Sequence, residues 1–328
     1  MLDAIALSHA AARQYIDATA VFSALEEATQ DAARYRGSLF WRDVNGRDYL
    51  IRGNSAGAQT SLGPRSPDTE AIHERFTAHK GAASERVKAL KQALEQQRKL
   101  NRALSVGRVP PEVVDILGAI DAAGLGEHFL VVGTHALYAF ETAASVRLPQ
   151  EPMATRDVDL LLDTRKHIKF VSKLDRQGSS FIGLLQRVDK SFRIRRGQKY
   201  TAVNADGFEV DIIRAPAGKD AAPHPLRLSD HEDDFWAAQV GTGWRLLGAR
   251  PFSQVVVATN GRMARMRTVH PLDFVRIKTG LSQAPGRDPA KARKDALQAQ
   301  VMRDLVDEYL PHLAQPLQPG GADADAAA

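Results

Sequence analysis

The sequence predicts an α/β (α+β) protein: a mixed sheet flanked by helices, an N-terminal helical arm carrying a β-hairpin, and a C-terminal helical region. Three observations carry this. From Pro111 onward short apolar strands alternate with helical stretches and then run on as hairpins. An Asn45-Gly46 pair divides two strand-like runs. Alanine- and leucine-rich stretches at helical spacing occupy both ends of the chain.

Residues 1–36 read as helix and stop at Gly37. From Ser38 to Gly53, SLFWRDV and RDYLIRG flank Asn45-Gly46, the pair suited to the left-handed backbone of a two-residue hairpin turn. NSAGAQTSLGPR (54–65) reads as a small-residue loop. Ser66-Pro67-Asp68 has the form of an N-cap, a first-turn proline and a first-turn acid, starting helix that reaches about Leu104 with a break expected near Gly81. Between Arg75 and Arg108 stand nine Lys/Arg against Glu85 and Glu95. The arm therefore covers 1–110.

A second domain is expected over 111–270. PEVVDILGAIDAAGL and HALYAFETAASVR predict helices, HFLVVGT and TRDVDLLLD strands, and 167–176 a third helix. SFRIRRG, KYTAVNA and FEVDIIR then predict short strands, with Asp206-Gly207 as a turn. GWRLLGA, QVVVAT and ARMRTVH read as strands, and SDHEDDFW (229–236) as an acid-rich helix start. Helices resume over 271–315, and the tail 316–328 is low-complexity and expected to be disordered.

Composition narrows the chemistry. The chain has 328 residues, 44% of them hydrophobic, enough for more than one core. It contains no cysteine, which excludes disulfides, thiolate zinc sites and a cysteine nucleophile. A net charge of +5 permits a nucleic-acid or nucleotide partner without requiring one. The first residues lack a basic stretch ahead of an apolar one, and no apolar run approaches the roughly 18–20 residues of a membrane span, so the expectation is a cytoplasmic protein with no membrane partner.

The chemistry concentrates in VVGTHALYAFETAASVRLPQEPMATRDVDLLLD, from Val131 to Asp163. Residues two apart in a strand share a face, so Asp157 and Asp159 point one way while Val158, Leu160 and Leu162 pack the other. Two carboxylates about 7 Å apart repel unless a cation lies between them. Oxygen ligands without histidine or cysteine suit Mg²⁺ or Mn²⁺. Asp211, in FEVDIIR, completes a three-carboxylate cluster if its strand lies beside the first, and Glu209 on the same face reads as solvated. Gly133 lets the backbone approach a phosphate, and Thr134 offers a hydroxyl at the start of a helix. His135 reads as incidental to that turn.

This order of strand, Gly-Ser/Thr turn, helix, Asp-x-Asp and third aspartate resembles the nucleotidyltransferase fold of the DNA polymerase β superfamily. It is most similar to an uncharacterised bacterial branch and, more distantly, to abortive-infection-type nucleotidyltransferase toxins, a resemblance that leaves open membership of a toxin–antitoxin pair. The resemblance implies Asp157, Asp159 and Asp211 as metal-binding catalytic residues and Gly133 and Thr134 at the phosphates. By the toxin-like pattern, Lys278 and the Arg293-Lys294-Asp295 segment match the helical lysine and basic-Lys-Asp positions, which adds Lys278 and Asp295 to the nucleotide site. It implies NTP, ATP included, as substrate, with pyrophosphate released and a hydroxyl, of tRNA or other RNA, a protein or a small molecule, as acceptor. Two features depart from the pattern: Thr134 stands where serine is usual, and 22 residues separate it from Asp157, about twice the usual spacing. That extra length is expected to form a loop over the site or a longer helix.

RVDKSFRIRRGQK (187–199) and the basic 75–108 helix offer an RNA-facing surface, and the N-terminal helices a homodimer contact. Two other readings stand beside the transferase. In one, Asp-x-Asp holds a nucleotide-sugar diphosphate in a glycosyltransferase; in the other, the arm makes the protein a non-catalytic adaptor.

Overall fold

A computed structural model describes residues 2–54, 57–175, 180–217, 226–229, 231 and 234–314. The expected tail, 316–328, lies outside the described residues. The chain divides into two compact units, one of Met1–His9 with Gly107–Ala328 and one of Ala10–Val106.

The chain opens with strand β1 (Ile5–Ala6) and helix α1 (His9–Ala33). In the smaller unit, β2 (Ser38–Val44), β3 (Arg47–Gly53) and β4 (Gln59–Pro64) form an antiparallel sheet in that order. Asn45 and Gly46 both adopt left-handed φ, 54° and 76°, as a two-residue hairpin turn needs. The third strand corrects the expectation of a loop over 54–65. Its glycine, serine and proline give no strand signal, and pairing to β3 across a bulge at Leu50/Ile51 is what extends it.

Helix α2 (Pro67–Ala103) is capped by Ser66, whose hydroxyl accepts from the Thr69 amide while the Thr69 hydroxyl accepts from the Ser66 amide. It runs unbroken through Gly81, contrary to the expected break, since one helical glycine costs only about 1 kcal/mol.

The larger unit continues with α3 (Pro111–Ala122), β5 (Phe129–Val132), α4 (Leu137–Ala143), β6 (Val146–Arg147), β7 (Asp157–Leu162), α5 (His167–Asp175) and α6 (Phe181–Val188). Next come β8 (Arg193–Arg195), β9 (Gln198–Val203), β10 (Glu209–Arg214), β11 (Leu226–Arg227) and β12 (Trp236–Gln239). The last elements are α7 (Gly243–Leu247), β13 (Pro251–Val257), β14 (Met263–Val269), α8 (Pro271–Ser282), α9 (Pro289–Tyr309) and α10 (Pro311–Ala314). The central sheet runs β11-β12-β10-β7-β5, with β8 and β9 extending from β10. It is mixed: β7 and β12 lie parallel to β10, and β5 and β9 antiparallel to their neighbours.

Both faces of the sheet are covered. Val158, Leu160 and Leu162 of β7 join Ile116 of α3, Phe170 of α5 and Phe181 of α6 in one core. Leu161, on the opposite face, joins Phe140 of α4, Phe274 of α8 and Met302 and Leu305 of α9 in a second. The period-2 alternation thus turns the aspartates of β7 toward the side built from α4, α8 and α9.

Three local readings change. The helix expected over 135–147 ends at Ala143, where Ser145 takes a left-handed φ of 54° and the chain turns into β6, which pairs with β1. GWRLLGA is helix α7 rather than strand: Leu246 and Leu247 are adjacent and both buried, which strand alternation would separate. SDHEDDFW leads into β12, and its Asp234 instead caps α6, accepting the amides of Phe181 and Ile182 at 2.9 Å each. Asp230, Glu232 and Asp233 of that stretch lie outside the described residues.

Candidate active site

Strands β7 and β10 lie side by side with Asp211 opposite Asp159 and Glu209 opposite Asp157. On the other edge of β7, Val132 pairs with Asp159, so Gly133 leaves β5 beside that carboxylate. The register brings Asp157, Asp159 and Asp211 together, with one carboxylate oxygen of each within 4.8 Å of the others. Oxygen donors so spaced fit a hard divalent cation of the Mg²⁺ or Mn²⁺ type.

The electrostatics carry the mark of that crowding. Burial, then the charges of Asp157 and Asp211, push the Asp159 carboxyl up to about 7. Asp211 is also raised, chiefly by burial and against the hydrogen bond from the Thr201 hydroxyl to its Oδ1. The positive charges of Lys278 on α8 and Lys294 on α9 act the other way on Asp159. The Lys294 ammonium is itself lowered, first by burial and then by Lys278. A cation held by the carboxylates would relieve the repulsion that raises Asp159.

Gly133 has φ 67°, and a Cβ placed on it would lie 2.4 Å from Asp159 Oδ2. The glycine is therefore required twice, by the backbone and by the carboxylate that closes on it. Thr134 follows in a short 3-10 turn that leads into α4, so the long helix expected here is replaced by seven residues. The Thr134 hydroxyl accepts a hydrogen bond from Gln298 Nε2 at 3.1 Å, and the same nitrogen donates to the Pro152 carbonyl at 2.7 Å. His135 turns inward and donates from Nδ1 to the Asp157 carbonyl at 2.9 Å; burial holds its pKa down at about 4, so it is a neutral prop behind β7.

Lys278 Nζ lies 2.7 Å from Asp295 Oδ1, and Arg287 closes on Oδ2 at 2.6 Å. Asp295 is 2% exposed and engaged by both cations. Glu209 pairs with Arg195 and is not among the three gathered carboxylates.

The long spacing between Thr134 and Asp157 holds α4, β6 and a connecting segment that is clamped from both sides. Half-buried Arg108 and buried Glu141 form an ion pair, Arg108 donating to the Leu148 carbonyl while Glu141 accepts the Leu148 amide. From α9, Lys294 Nζ donates to the Ala154 carbonyl at 2.8 Å, one helical turn from Gln298 on Pro152. Thr155 then donates to Asp157.

Gln298, Arg287 and Thr201 escaped the sequence reading. Gln298 had a usable signal, a polar residue four positions after Lys294 within a face that becomes apolar at Val301, Met302 and Leu305. Thr201 had none, since only the register of β9 against β10 sets it opposite Asp211.

A nucleotidyltransferase family model matches residues 111–317, more than half of the chain. The chain belongs to that nucleotidyltransferase family. No curated protein and no solved structure matches it. Membership makes the protein an enzyme that transfers nucleotides, with an NTP as its substrate, and decides against the nucleotide-sugar and adaptor readings. Among the described residues, no helix of this nucleotidyltransferase is long and apolar enough to cross a membrane.

Proposed function

We propose that the protein is a Mg²⁺- or Mn²⁺-dependent nucleotidyltransferase of the DNA polymerase β type that moves a nucleoside monophosphate from an NTP to a hydroxyl of RNA, releasing pyrophosphate. The gathering of Asp157, Asp159 and Asp211 to within 4.8 Å beside the Gly133-Thr134 turn carries this reading. Bound metal would supply charge to the triphosphate oxygens and acidify the attacking hydroxyl.

The chain's own groups do the rest. Gly133 leaves room for the phosphates at the end of β5, and Thr134, fixed by Gln298, presents its hydroxyl proton to them. Asp211, with Oδ1 held by Thr201, keeps Oδ2 for the proton of the acceptor hydroxyl, and its raised pKa suits that transfer. The acceptor oxygen bonds to the α-phosphorus as the bond to the pyrophosphate oxygen breaks. Lys278 and Lys294, both within electrostatic reach of Asp159, balance the charge that leaves.

Incubating the purified protein with Mg²⁺, each α-labelled NTP and total cellular RNA tests the reading. Label entering RNA, and absent with the Asp157→Ala/Asp159→Ala variant, is the expected result. Equal labelling by that variant would remove the carboxylates from the mechanism, and label on protein alone would replace RNA as the acceptor.

A further inference from the structure

The smaller unit holds none of the site residues named above, and its 97 residues, 10–106, carry fifteen Lys/Arg against eleven Asp/Glu, or +4 of the chain's +5. Its three-stranded sheet distributes residues unequally between its two faces. On one face Trp41 meets His73 of α2 with ring centroids 5.7 Å apart, and Arg52 lies over Phe76 of α2 at 4.6 Å. Leu39 and Leu50 are buried on that side, and Asp43 and Asp48 pair across it. That face belongs to α2.

The opposite face follows from the same register. Phe40 pairs with Ile51, Arg42 with Tyr49, and Val44 with Arg47. Both acids of the hairpin point the other way, so β2 and β3 place two arginines and no carboxylate here. Arg42 and Arg47 are exposed, Phe40 and Tyr49 half-buried, and the Arg42 guanidinium lies 5.5 Å from the centroid of the Phe40 ring. The Arg42 guanidinium donates to Gln59 Oε1 at 2.6 Å, an amide rather than an acid; guanidinium groups that meet no carboxylate of β2 or β3 suit phosphodiester oxygens, and aromatic rings beside them suit unstacked bases.

We infer that the Phe40/Arg42/Arg47/Tyr49 face of the β2–β3–β4 sheet is a docking surface for single-stranded RNA. A polyanion is the partner that charge complementarity selects. The aromatic rings favour a single strand over a duplex, whose bases are stacked away. The inference names the element that holds the acceptor and rests on the reading of that acceptor as RNA.

Anisotropy of a short fluorescein-labelled oligouridine with the full-length protein tests it. Arg42→Glu/Arg47→Glu should weaken binding at least about ten-fold at low salt and lower the slope of log affinity against log salt by about 1.4, two phosphate contacts at about 0.7 each. Arg42→Lys/Arg47→Lys, which keeps the charge, should retain most of that slope. Circular dichroism and Mn²⁺-dependent NTP binding should be unchanged in both variants, since neither arginine belongs to the catalytic unit.

Undiminished affinity in the Arg42→Glu/Arg47→Glu variant overturns the surface, as does tighter binding of a duplex DNA probe of equal length. The two readings fail separately. RNA bound through this face but never labelled leaves the surface standing and removes the acceptor; RNA labelled equally well by Arg42→Glu/Arg47→Glu removes the surface and leaves the acceptor.

Discussion

Asp159 closes its carboxylate onto Gly133, a backbone position that has no side chain. Gly133→Ala adds a left-handed cost of about 1–2 kcal/mol and forces Asp159 Oδ2 away from the position 2.4 Å from the new methyl. Denaturant melts should show that loss, and Mn²⁺ affinity should fall with it. The Asp159 carboxyl also predicts a pH dependence. Its folded value, about 7, lies above the ordinary carboxylate range, so the folded state binds this proton more tightly than the unfolded chain. Its contribution to metal-free stability is therefore full at low pH and lost as pH rises from about 4 through 7, by about 1.4 kcal/mol per unit. Mn²⁺ must displace the same proton, so its affinity should climb up to pH 7 and level above. Titrations in chelator and in Mn²⁺ across that window read both trends, and Asp159→Asn should flatten the first.

Among the elements, α9 and the 143–155 segment hold the Gly133-Thr134 turn in place. Gln298 is the joint, touching Thr134 and Pro152 with one amide nitrogen. Gln298→Ala leaves the Thr134 hydroxyl without its donor and should lower kcat/KM by about ten-fold, with the rise in NTP KM larger than the fall in kcat. Glu141→Ala strands the partly buried Arg108 and should cost about 3–5 kcal/mol in a thermal or chemical melt. What the sequence disclosed among these elements depended on local signals. Asn45-Gly46 and Ser66-Pro67 announce a hairpin turn and a cap through their own backbone preferences, and both appear as read. Strand β4 has no such signal because its partner creates it. Helix α7 was misread because its leucines fit a strand until their shared burial is known. The loop between Ala143 and Asp157 was legible only as excess length, since its holders, Arg108, Lys294 and Gln298, lie far away in sequence.

For the whole molecule, the carboxylate cluster was legible because alternation along two strands and a single parallel register suffice to assemble it. The double ion pair of Asp295 was not, since only the packing of α8 beside α9 brings Lys278 to it. In the proposed mechanism this assembly transfers the α-phosphoryl group with its nucleoside. The most direct measurement compares α-labelled with γ-labelled NTP in otherwise identical reactions with RNA and Mg²⁺. Label from the α position should enter RNA while label from the γ position leaves as pyrophosphate. Label from the γ position on RNA or protein would mean phosphoryl transfer and overturn the proposed mechanism.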